Sequence, residues 1–271
     1  MFETDLHESD VRARLPELDA LFAASADGLA DAFTAASSSL PGPHPAPADE
    51  RTSSSSSSSS SYALPRLIPG DAARTIKLQH NRGGGGCFPL HYDNPGPPSR
   101  RALTCILYLN PDWTEGDGGE LLLTPFLGGT IRVRPTHDRL AIFLSDRILH
   151  RVLPAKAERF CLTVWLDGEG MNAPEDVGLR LPASAVANPA AAAAALRVSP
   201  SQRALSRAVY PDEYELSLME CMAGAEGCSQ MVASHEAHLR AVASNAPLAR
   251  FVDALREVRR DGPDAEPTKT V

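Results

Sequence analysis

The segment LAIFLSDRILHRVLPAKAERFCLTVWL, residues 140–166, says most about the architecture of this chain. It holds three short apolar runs, at Leu140–Phe143, His150–Leu153 and Arg159–Leu166, and the turn-like residues Ser145-Asp146-Arg147 separate the first two. Apolar runs of this length between turn residues are typical of β-strands. We therefore predict a strand, a turn and a returning strand, followed by a third strand.

The same pattern extends towards the N-terminus. Four further runs are predicted as strands, at Thr75–His80, Ala102–Leu109, Gly119–Leu123 and Thr130–Val133. Turn residues such as Asn94-Pro95-Gly96 lie between them. Many short strands at close spacing predict a sandwich or a barrel. The expected fold class is a mainly β catalytic core with flanking helices, in which the core is a double-stranded β-helix (jelly roll).

The segments that flank the strands differ from them in composition. Apolar residues recur at helical spacing near the N-terminus and again after Ser201, where two or three helices are expected. A tract of Pro and Ser lies between the first helical segment and the strands, and such a tract cannot bury enough apolar surface to become ordered. His235-Glu236-Ala237-His238 is interpreted as an exposed helix face, and the polar tail after Asp261 as loose. The expected organisation is a helical segment packing on the core at 1–36, a disordered insertion at 37–62, the jelly-roll core at 63–170, an Ala/Pro-rich linker at 171–200 and a helical segment at 201–271.

Charge and composition exclude several classes of protein. The chain has 271 residues and a formal net charge of -8, and residues 71–170 are nearly neutral, with 12 Lys/Arg against 11 Asp/Glu. A chain without a basic stripe is not expected to bind nucleic acid. The first residues lack the apolar stretch of a secretory signal, no run is long enough to span a membrane, and the odd number of cysteines does not suggest a disulfide framework. An intracellular protein of the cytoplasm or nucleus is therefore predicted, with its oligomeric state left open.

Three residues form a candidate metal site. His91 and Asp93 are two residues apart, so on a strand their side chains project to the same face. His150 begins the strand that returns after the Leu140–Phe143 run, which would place it beside His91 and Asp93 in a closed sheet. Two imidazoles and one carboxylate are the ligands of the facial triad that leaves open positions on Fe(II). Catalytic zinc also accepts mixed His and carboxylate ligands, so the three residues alone leave both metals open.

Arg159 adds information about what binds beside the metal. It lies on the next predicted strand, and a buried guanidinium requires an anionic partner. A dicarboxylate that binds the metal at one end and Arg159 at the other would supply that partner. The alternative is that Arg159 lies on the surface and pairs with Glu158.

The stretch from His91 to Leu166 resembles a known family. The segments that carry the resemblance are HYDNPG, LTCILYLNPDW, GGELLL, DRLAIFLSDR, LHRVLPA and RFCLTVWLDG, which occur in order with the ligand spacing preserved. They resemble the Fe(II)/2-oxoglutarate-dependent dioxygenases of the prolyl 4-hydroxylase-like branch, and most of all the oxygen-sensing prolyl hydroxylases. The resemblance implies Fe(2+), with 2-oxoglutarate and O2 as cosubstrates and L-ascorbate (vitamin C) as reductant.

The resemblance also assigns roles to individual residues. It implies that His91, Asp93 and His150 are the catalytic iron ligands, and that Arg159 and Tyr108 bind the distal carboxylate of 2-oxoglutarate. Further pocket-wall positions would be Thr163, Ile106, Val152 and Trp165. The chain departs from the family before the HxD strand, where relatives often have a cosubstrate-binding tyrosine. His80 is the expected equivalent here.

The function implied by the resemblance is hydroxylation of a peptidyl proline in a protein or peptide partner, coupled to oxidative decarboxylation of 2-oxoglutarate to succinate. Two alternatives remain open from the sequence. The first is an oxygenase of the same type that acts on a free amino acid or on another side chain. The second is a non-catalytic jelly-roll binding module, which would be expected to have lost at least one of the residues above.

Overall fold

The structure is a computed structural model that describes residues 2–5, scattered positions between 13 and 35, residues 64–173, residue 179, residues 187–261 and residues 269–271. The insertion predicted at 37–62 lies outside these residues, as does much of the predicted linker. The division of the chain into domains therefore stays a prediction.

The described residues contain ten strands, which form the core of the molecule. In chain order they are β1 (Phe2–Asp5), β2 (Arg74–Asn81), β3 (Gly86–His91), β4 (Arg101–Tyr108), β5 (Leu121–Pro125), β6 (Ile131–Val133), β7 (Leu140–Leu144), β8 (Ile148–Ala155), β9 (Arg159–Asp167) and β10 (Lys269–Thr270). They form two five-stranded sheets, with the orders β1-β2-β9-β4-β7 and β10-β6-β5-β8-β3. The prediction of a mainly β, jelly-roll core is confirmed.

Burial follows the two-residue period of the strands. Alternate residues of β4 and β9, among them Ile106, Tyr108 and Cys161, meet Leu121 and Val152 of the second sheet in an apolar cluster between the sheets. The opposite face of the first sheet forms a second cluster, which includes Leu103, Leu162 and Val164 and is contacted by Phe33 from the N-terminal segment. Burial of each large apolar side chain contributes about 1.5–3 kcal/mol, so both faces of this sheet stabilise the fold.

Five helices cover the outer face of the second sheet. They are α1 (Pro189–Arg197), α2 (Arg203–Val209), α3 (Pro211–Met222), α4 (Cys228–Ser244) and α5 (Ala246–Asp261). Their apolar residues form one cluster with Leu90, Tyr92 and Leu149 of the sheet. Among the described residues, no helix combines the length and apolar character needed to cross a bilayer.

Several predictions for the C-terminal third of the chain are wrong in detail. Part of the predicted linker is helix α1, because Asn188 caps the Ala-rich run by accepting a hydrogen bond from the amide of Ala191 at 3.1 Å, and Leu196 packs into the helical cluster. Residues 203–261 form four helices rather than two or three. His235 is 1% exposed rather than on an exposed face, since its ring packs parallel to Tyr214.

The end of the chain also differs from the prediction. Lys269 and Thr270 pair in parallel with Ile131 and Arg132 of β6, so this part of the predicted loose tail is a strand. It extends the second sheet by one short edge strand.

Candidate metal centre and its cavity

The three predicted metal ligands meet at one end of the second sheet. His91 ends β3 and lies directly opposite His150 of β8 in the antiparallel register. Asp93 follows two residues after His91, and one ligand atom from each of the three side chains lies within 4.8 Å of the others. The predicted proximity of His150 to the HxD strand is confirmed.

Hydrogen bonds orient both imidazole rings. The Nδ1 atoms of His91 and His150 lie 2.7 Å and 3.1 Å from the carbonyl oxygens of Pro89 and Ile148. A carbonyl oxygen only accepts, so each Nδ1 carries a proton and donates it, and each Nε2 faces Asp93. The two Nε2 atoms lie 3.5 Å and 3.6 Å from the Asp93 carboxylate, and all three donors converge on one point.

The electrostatics of the three residues suit a divalent cation. Burial alone would raise the pKa of Asp93, but the hydrogen bond from His91 and the charges of both imidazoles lower it well below its usual value. Burial, with the charge of His91 added, lowers the pKa of His150 to about 4. Burial also opposes the charged form of His91, yet the hydrogen bond and charge of Asp93 outweigh it and raise its pKa. Near neutral pH the set therefore offers a carboxylate and a neutral His150.

Two hydroxyl groups hold the carboxylate of Asp93. The Thr104 hydroxyl donates to Asp93 Oδ2 at 2.7 Å, and Ser145 Oγ lies 2.8 Å from Thr104 Oγ1. Thr104 has one proton, which goes to the carboxylate, so Ser145 donates to Thr104. Both hydroxyl-bearing residues are fully buried. Partners of this kind fix the orientation of a ligand before the metal arrives.

The metal ligands open into a cavity of about 390 Å³ between the two sheets. Its wall includes Arg159, Thr163, Ile106, Val152 and Trp165, as the sequence predicted. It also includes residues that were not predicted, namely Lys77, Gln79, Phe88, Tyr92, Pro95, Arg101 and Leu121. A larger cavity of about 1010 Å³ lies beside Val209 and Pro211, and it shares no residue with the metal ligands.

Arg159 is a buried cation that faces this cavity. It is 2% exposed, its Nε donates to the carbonyl oxygen of Gly119 at 2.9 Å, and its Nη1 lies 3.3 Å from Cys161 Sγ. No carboxylate of the described residues lies within ion-pair distance of it, and Glu158 instead lies 3.1 Å from His80. The alternative of a surface arginine paired with Glu158 is therefore wrong. A buried guanidinium in this state fits an anionic ligand.

Tyr108 lies behind Arg159 rather than in the cavity wall. Its ring centroid is 5.1 Å from the guanidinium carbon of Arg159, and its hydroxyl proton has no acceptor among the described residues. Burial raises the pKa of Tyr108 to about 12, so the hydroxyl keeps its proton and can donate. An unpartnered buried donor beside an unpaired cation is the arrangement expected where a carboxylate binds.

Gly119 makes room for Arg159. Its φ is +75°, and a Cβ at this position would lie 2.7 Å from Cδ of Arg159. Only glycine therefore leaves space for the aliphatic part of the Arg159 side chain to pass the backbone at this position. The requirement was not apparent from the sequence, because it depends on the approach of β9 to the turn before β5.

His80 does not reach the cavity, so the predicted equivalence with a cosubstrate-binding tyrosine is wrong. Its ring stacks on Phe160 at 4.2 Å. Lys77 and Gln79 of the same strand line the cavity, because alternate residues of β2 project to opposite faces. Thr104, Ile106 and Tyr108 are alternate residues of β4 and so share one face of the strand. The sequence could therefore have predicted that Thr104 lies on the side of the metal site.

Comparisons with known proteins agree with this geometry. A family model described as the 2OG-Fe(II) oxygenase superfamily matches residues 76–167. A solved structure, described as one of the prolyl 4-hydroxylases from Phytophthora capsici, is 46% identical to the chain with a TM-score of 0.76, and the match covers 95% of this chain and 77% of that one. The chain belongs to the 2OG-Fe(II) oxygenase superfamily. The resemblance drawn from the sequence is confirmed.

Curated relatives match about a third of the chain. Egl nine homolog 1 of Homo sapiens is 42% identical over 86 residues, which are 31% of this chain and 20% of that protein. Prolyl hydroxylase EGLN3 of Homo sapiens is 42% identical over 86 residues, which are 31% of this chain and 36% of that protein. The chain thus aligns with only a minor part of the length of these relatives.

Membership of the superfamily implies Fe(2+), 2-oxoglutarate and O2. A set of two imidazole nitrogens and a carboxylate fits Fe(II). None of these three candidate ligands is a thiolate. The buried cation of Arg159 and the free donor of Tyr108 fit the far carboxylate of a dicarboxylate. Both parts of the site therefore fit the groups that the family uses.

Proposed function

We propose that this protein is an Fe(II)- and 2-oxoglutarate-dependent hydroxylase that acts on a peptidyl proline. The observation that carries the proposal is the shared cavity, which has the His91, Asp93 and His150 ligand set at one side and the unpaired cation of Arg159 in its wall. A binding module without catalysis would not need both the three metal ligands and the unpaired cation of Arg159. A buried unpaired cation is costly, so a ligand that pairs with it is the simplest reason for its presence.

Each residue has a defined task in this proposal. His91 Nε2, His150 Nε2 and the Asp93 carboxylate hold the iron, while Arg159 and Tyr108 bind the distal carboxylate of 2-oxoglutarate. When bound, the iron and cosubstrate supply the oxidation in which O2, 2-oxoglutarate and a C–H bond give an alcohol, succinate and CO2, with ascorbate as the reductant that keeps iron as Fe(II).

The remaining residues of the wall shape the cavity. Ile106, Val152 and Leu121 provide an apolar lining, which excludes water and strengthens the interaction between Arg159 and a carboxylate. Thr163 adds a hydroxyl to the same wall. The chain thereby fixes the orientation of the reacting groups, while the cofactor supplies the chemistry.

The substrate class rests on the relatives. The Phytophthora capsici protein is described as a prolyl 4-hydroxylase, and EGLN3 as a prolyl hydroxylase. Trp165 lies in the cavity wall, and the guanidinium of Arg101 covers its ring at 4.1 Å from the centroid, so this ring does not by itself select a substrate. An oxygenase that acts on a free amino acid or on another side chain is the competing assignment.

The decisive experiment measures succinate formation and substrate mass together. Purified protein with Fe(II), 2-oxoglutarate, ascorbate and O2 should release succinate and should add the mass of one oxygen atom to a proline in a peptide library. His91→Ala should abolish both signals. His137→Ala, at a half-exposed histidine outside the cavity, is the matched control and should retain both.

Two outcomes would contradict the proposal. No succinate release in the presence of any peptide or amino acid would favour the binding module. Succinate release coupled to hydroxylation of a free amino acid, with no modified peptide, would leave the reaction type in place but replace the proposed substrate class.

A further inference from the structure

We propose that the C-terminal helices position the metal ligands by holding β3 and the residues after it from the face opposite the metal. The ligands His91 and Asp93 alternate with Leu90, Tyr92 and Asn94, each of which hydrogen-bonds to a residue of the helical segment. Because successive residues of an extended chain project to opposite sides, the ligand side chains face the metal site, and those of Leu90 and Tyr92 pack into the helical cluster, where Tyr92 also borders the cavity. The inference rests on the metal site of the proposed function.

Tyr92 is the central attachment. Its side chain is 8% exposed and belongs to the apolar cluster formed by the helices. Its hydroxyl lies 2.6 Å from Oγ of Ser206 in α2. The Ser206 hydroxyl donates to the carbonyl oxygen of Gln202 at 2.9 Å, so Tyr92 is the donor to Ser206. Tyr92, which lies between His91 and Asp93, is therefore joined to α2 by a buried hydrogen bond.

Leu90 provides the second attachment, one residue before His91. Its amide donates to Oγ of Ser217 in α3 at 3.0 Å, and Ser217 is fully buried. β3 is the last strand of its sheet, so amides on its outer edge have no neighbouring strand to bond with. The helix thus takes the place of a further strand at this point.

Asn94 provides the third attachment, one residue after Asp93. Nη1 of Arg203 donates to the Asn94 carbonyl oxygen at 2.8 Å and to its side-chain oxygen at 3.2 Å. The same guanidinium donates to Oδ1 of Asn172 at 3.1 Å. Arg203 begins α2, so one helix holds the residues on both sides of Asp93.

The need for these attachments follows from the irregular pairing of β3. Its register with β8 shifts between Gly86 and Phe88 and again between Phe88 and His91. A strand with such shifts is less constrained by its neighbour than a regular one, and bulges are common beside active sites. The helices therefore restrict a segment that the sheet alone leaves loosely held.

The test compares two buried tyrosines in the same helical cluster. Tyr92→Phe removes the hydrogen bond to Ser206 and the longer one, at 3.4 Å, to Oε1 of Gln202. Tyr210→Phe is the control, because its equally buried hydroxyl accepts from the amide of Leu127 at 2.7 Å, away from the metal ligands. The readouts are the Kd for Mn(II) alone, the visible spectrum of the Co(II)-loaded protein and the thermal unfolding midpoint.

Tyr92→Phe should weaken Mn(II) binding about three- to tenfold, the range expected for one hydrogen bond, and should change the Co(II) spectrum. Tyr210→Phe should lower the unfolding midpoint by a similar amount but leave both metal readouts at wild-type values. Ser206→Ala removes the 2.6 Å bond from the helix side and should weaken Mn(II) binding in the same direction, also where Tyr92→Phe does not fold. Where both single variants fold, the double variant should add little to Tyr92→Phe.

Equal Mn(II) affinity and unchanged Co(II) spectra in Tyr92→Phe, Ser206→Ala and wild type would overturn the inference. So would equal losses of affinity in Tyr92→Phe and Tyr210→Phe, since the effect would then be general destabilisation. If the wild-type protein itself bound no Mn(II) or Co(II), the metal site of the proposed function would fail, which is a distinct result.

Discussion

At the scale of single residues, Arg159 and Thr104 illustrate two ways in which burial prepares a site for a ligand. Arg159 has a buried charge without an anionic partner among the described residues. Binding of a carboxylate would stabilise that charge. Thr104 keeps a hydroxyl whose single proton already points at Asp93. The first residue attracts the ligand, and the second fixes the geometry of a metal ligand.

Arg159→Met should abolish tight binding of 2-oxoglutarate at little cost in stability. A hydrogen bond to a charged group contributes about 1.5–3 kcal/mol, so the KM for 2-oxoglutarate should rise roughly tenfold or more. The variant also removes a buried unpaired charge, which offsets the loss of the bond to Gly119. Steady-state succinate formation and thermal unfolding measure the two effects, and the Kd for Mn(II) serves as the internal control. Equal losses of 2-oxoglutarate and Mn(II) binding would contradict the assigned role.

Thr104→Val should weaken metal binding without a change of side-chain shape. Loss of such a partner to a metal ligand typically costs about 10–100-fold in affinity, and a Mn(II) titration measures the change. Thr104→Ser keeps the hydroxyl and should restore most of the affinity. Thr124→Val, at another buried threonine in β5, is the matched control and should bind Mn(II) like the wild type. Similar losses in both valine variants would indicate a packing effect instead.

At the scale of elements, the turn before β5 and the helical segment determine where the functional groups lie. The turn contains Gly116, Gly118 and Gly119, all with positive φ. At Gly118 a Cβ would lie 2.1 Å from the carbonyl oxygen of Pro154, and at Gly119 it would meet Arg159. At Gly118 and Gly119 the turn therefore packs between β8 and the Arg159 side chain with no space for a larger residue.

Gly119→Ala should reduce 2-oxoglutarate binding while Mn(II) binding persists. The new methyl group would meet the stem of Arg159 and displace its guanidinium. Gly116→Ala is the matched control, because its φ of +104° imposes similar backbone strain while nothing lies within 4 Å of the new Cβ. Titration of each variant with 2-oxoglutarate in the presence of Mn(II) measures the difference. If the two variants lost 2-oxoglutarate affinity equally, backbone strain rather than contact with Arg159 would be responsible.

At the scale of the whole molecule, the cavity joins the two sheets. The metal ligands lie at the end of the second sheet, whereas Arg159 and Thr163 belong to the first. A ligand that reaches from the metal to Arg159 therefore connects the sheets as well as filling the space between them. Its binding should stabilise the folded chain as a whole.

Mn(II) with 2-oxoglutarate should raise the thermal unfolding midpoint more than either alone. A ligand at 100 times its Kd stabilises the folded state by about 2.7 kcal/mol, which shifts the midpoint of a domain of this size by several degrees. 2-Oxobutyrate, which lacks the distal carboxylate, should give a smaller shift with the same metal. A chelator should remove both shifts. Equal stabilisation by the two keto acids would show that Arg159 does not bind the distal carboxylate.

Much of the core and of the candidate site could be predicted from the sequence. Strand alternation is a local property with a period of two residues, so it placed His91 with Asp93 on a common face. The family resemblance supplied Tyr108 and Ile106, and it failed for His80 because the choice of face depends on one residue of register, and Gln79 occupies the inner position. The capped helix α1 was missed because Ala and Pro were interpreted by composition, while burial against the helical cluster stabilises that segment.

The sequence by itself determined the order of the strands along the chain, and it predicted the candidate ligand set and a cation near it, because these depend on residue type and short-range spacing. The tertiary structure alone decided that Gly119 must lack a side chain, that Tyr108 lies behind Arg159, and that Leu90, Tyr92 and Asn94 bond to helices more than a hundred residues away in the chain. The reason is physical. Such contacts depend on how distant segments pack once apolar surface is buried, and no local periodicity records that packing.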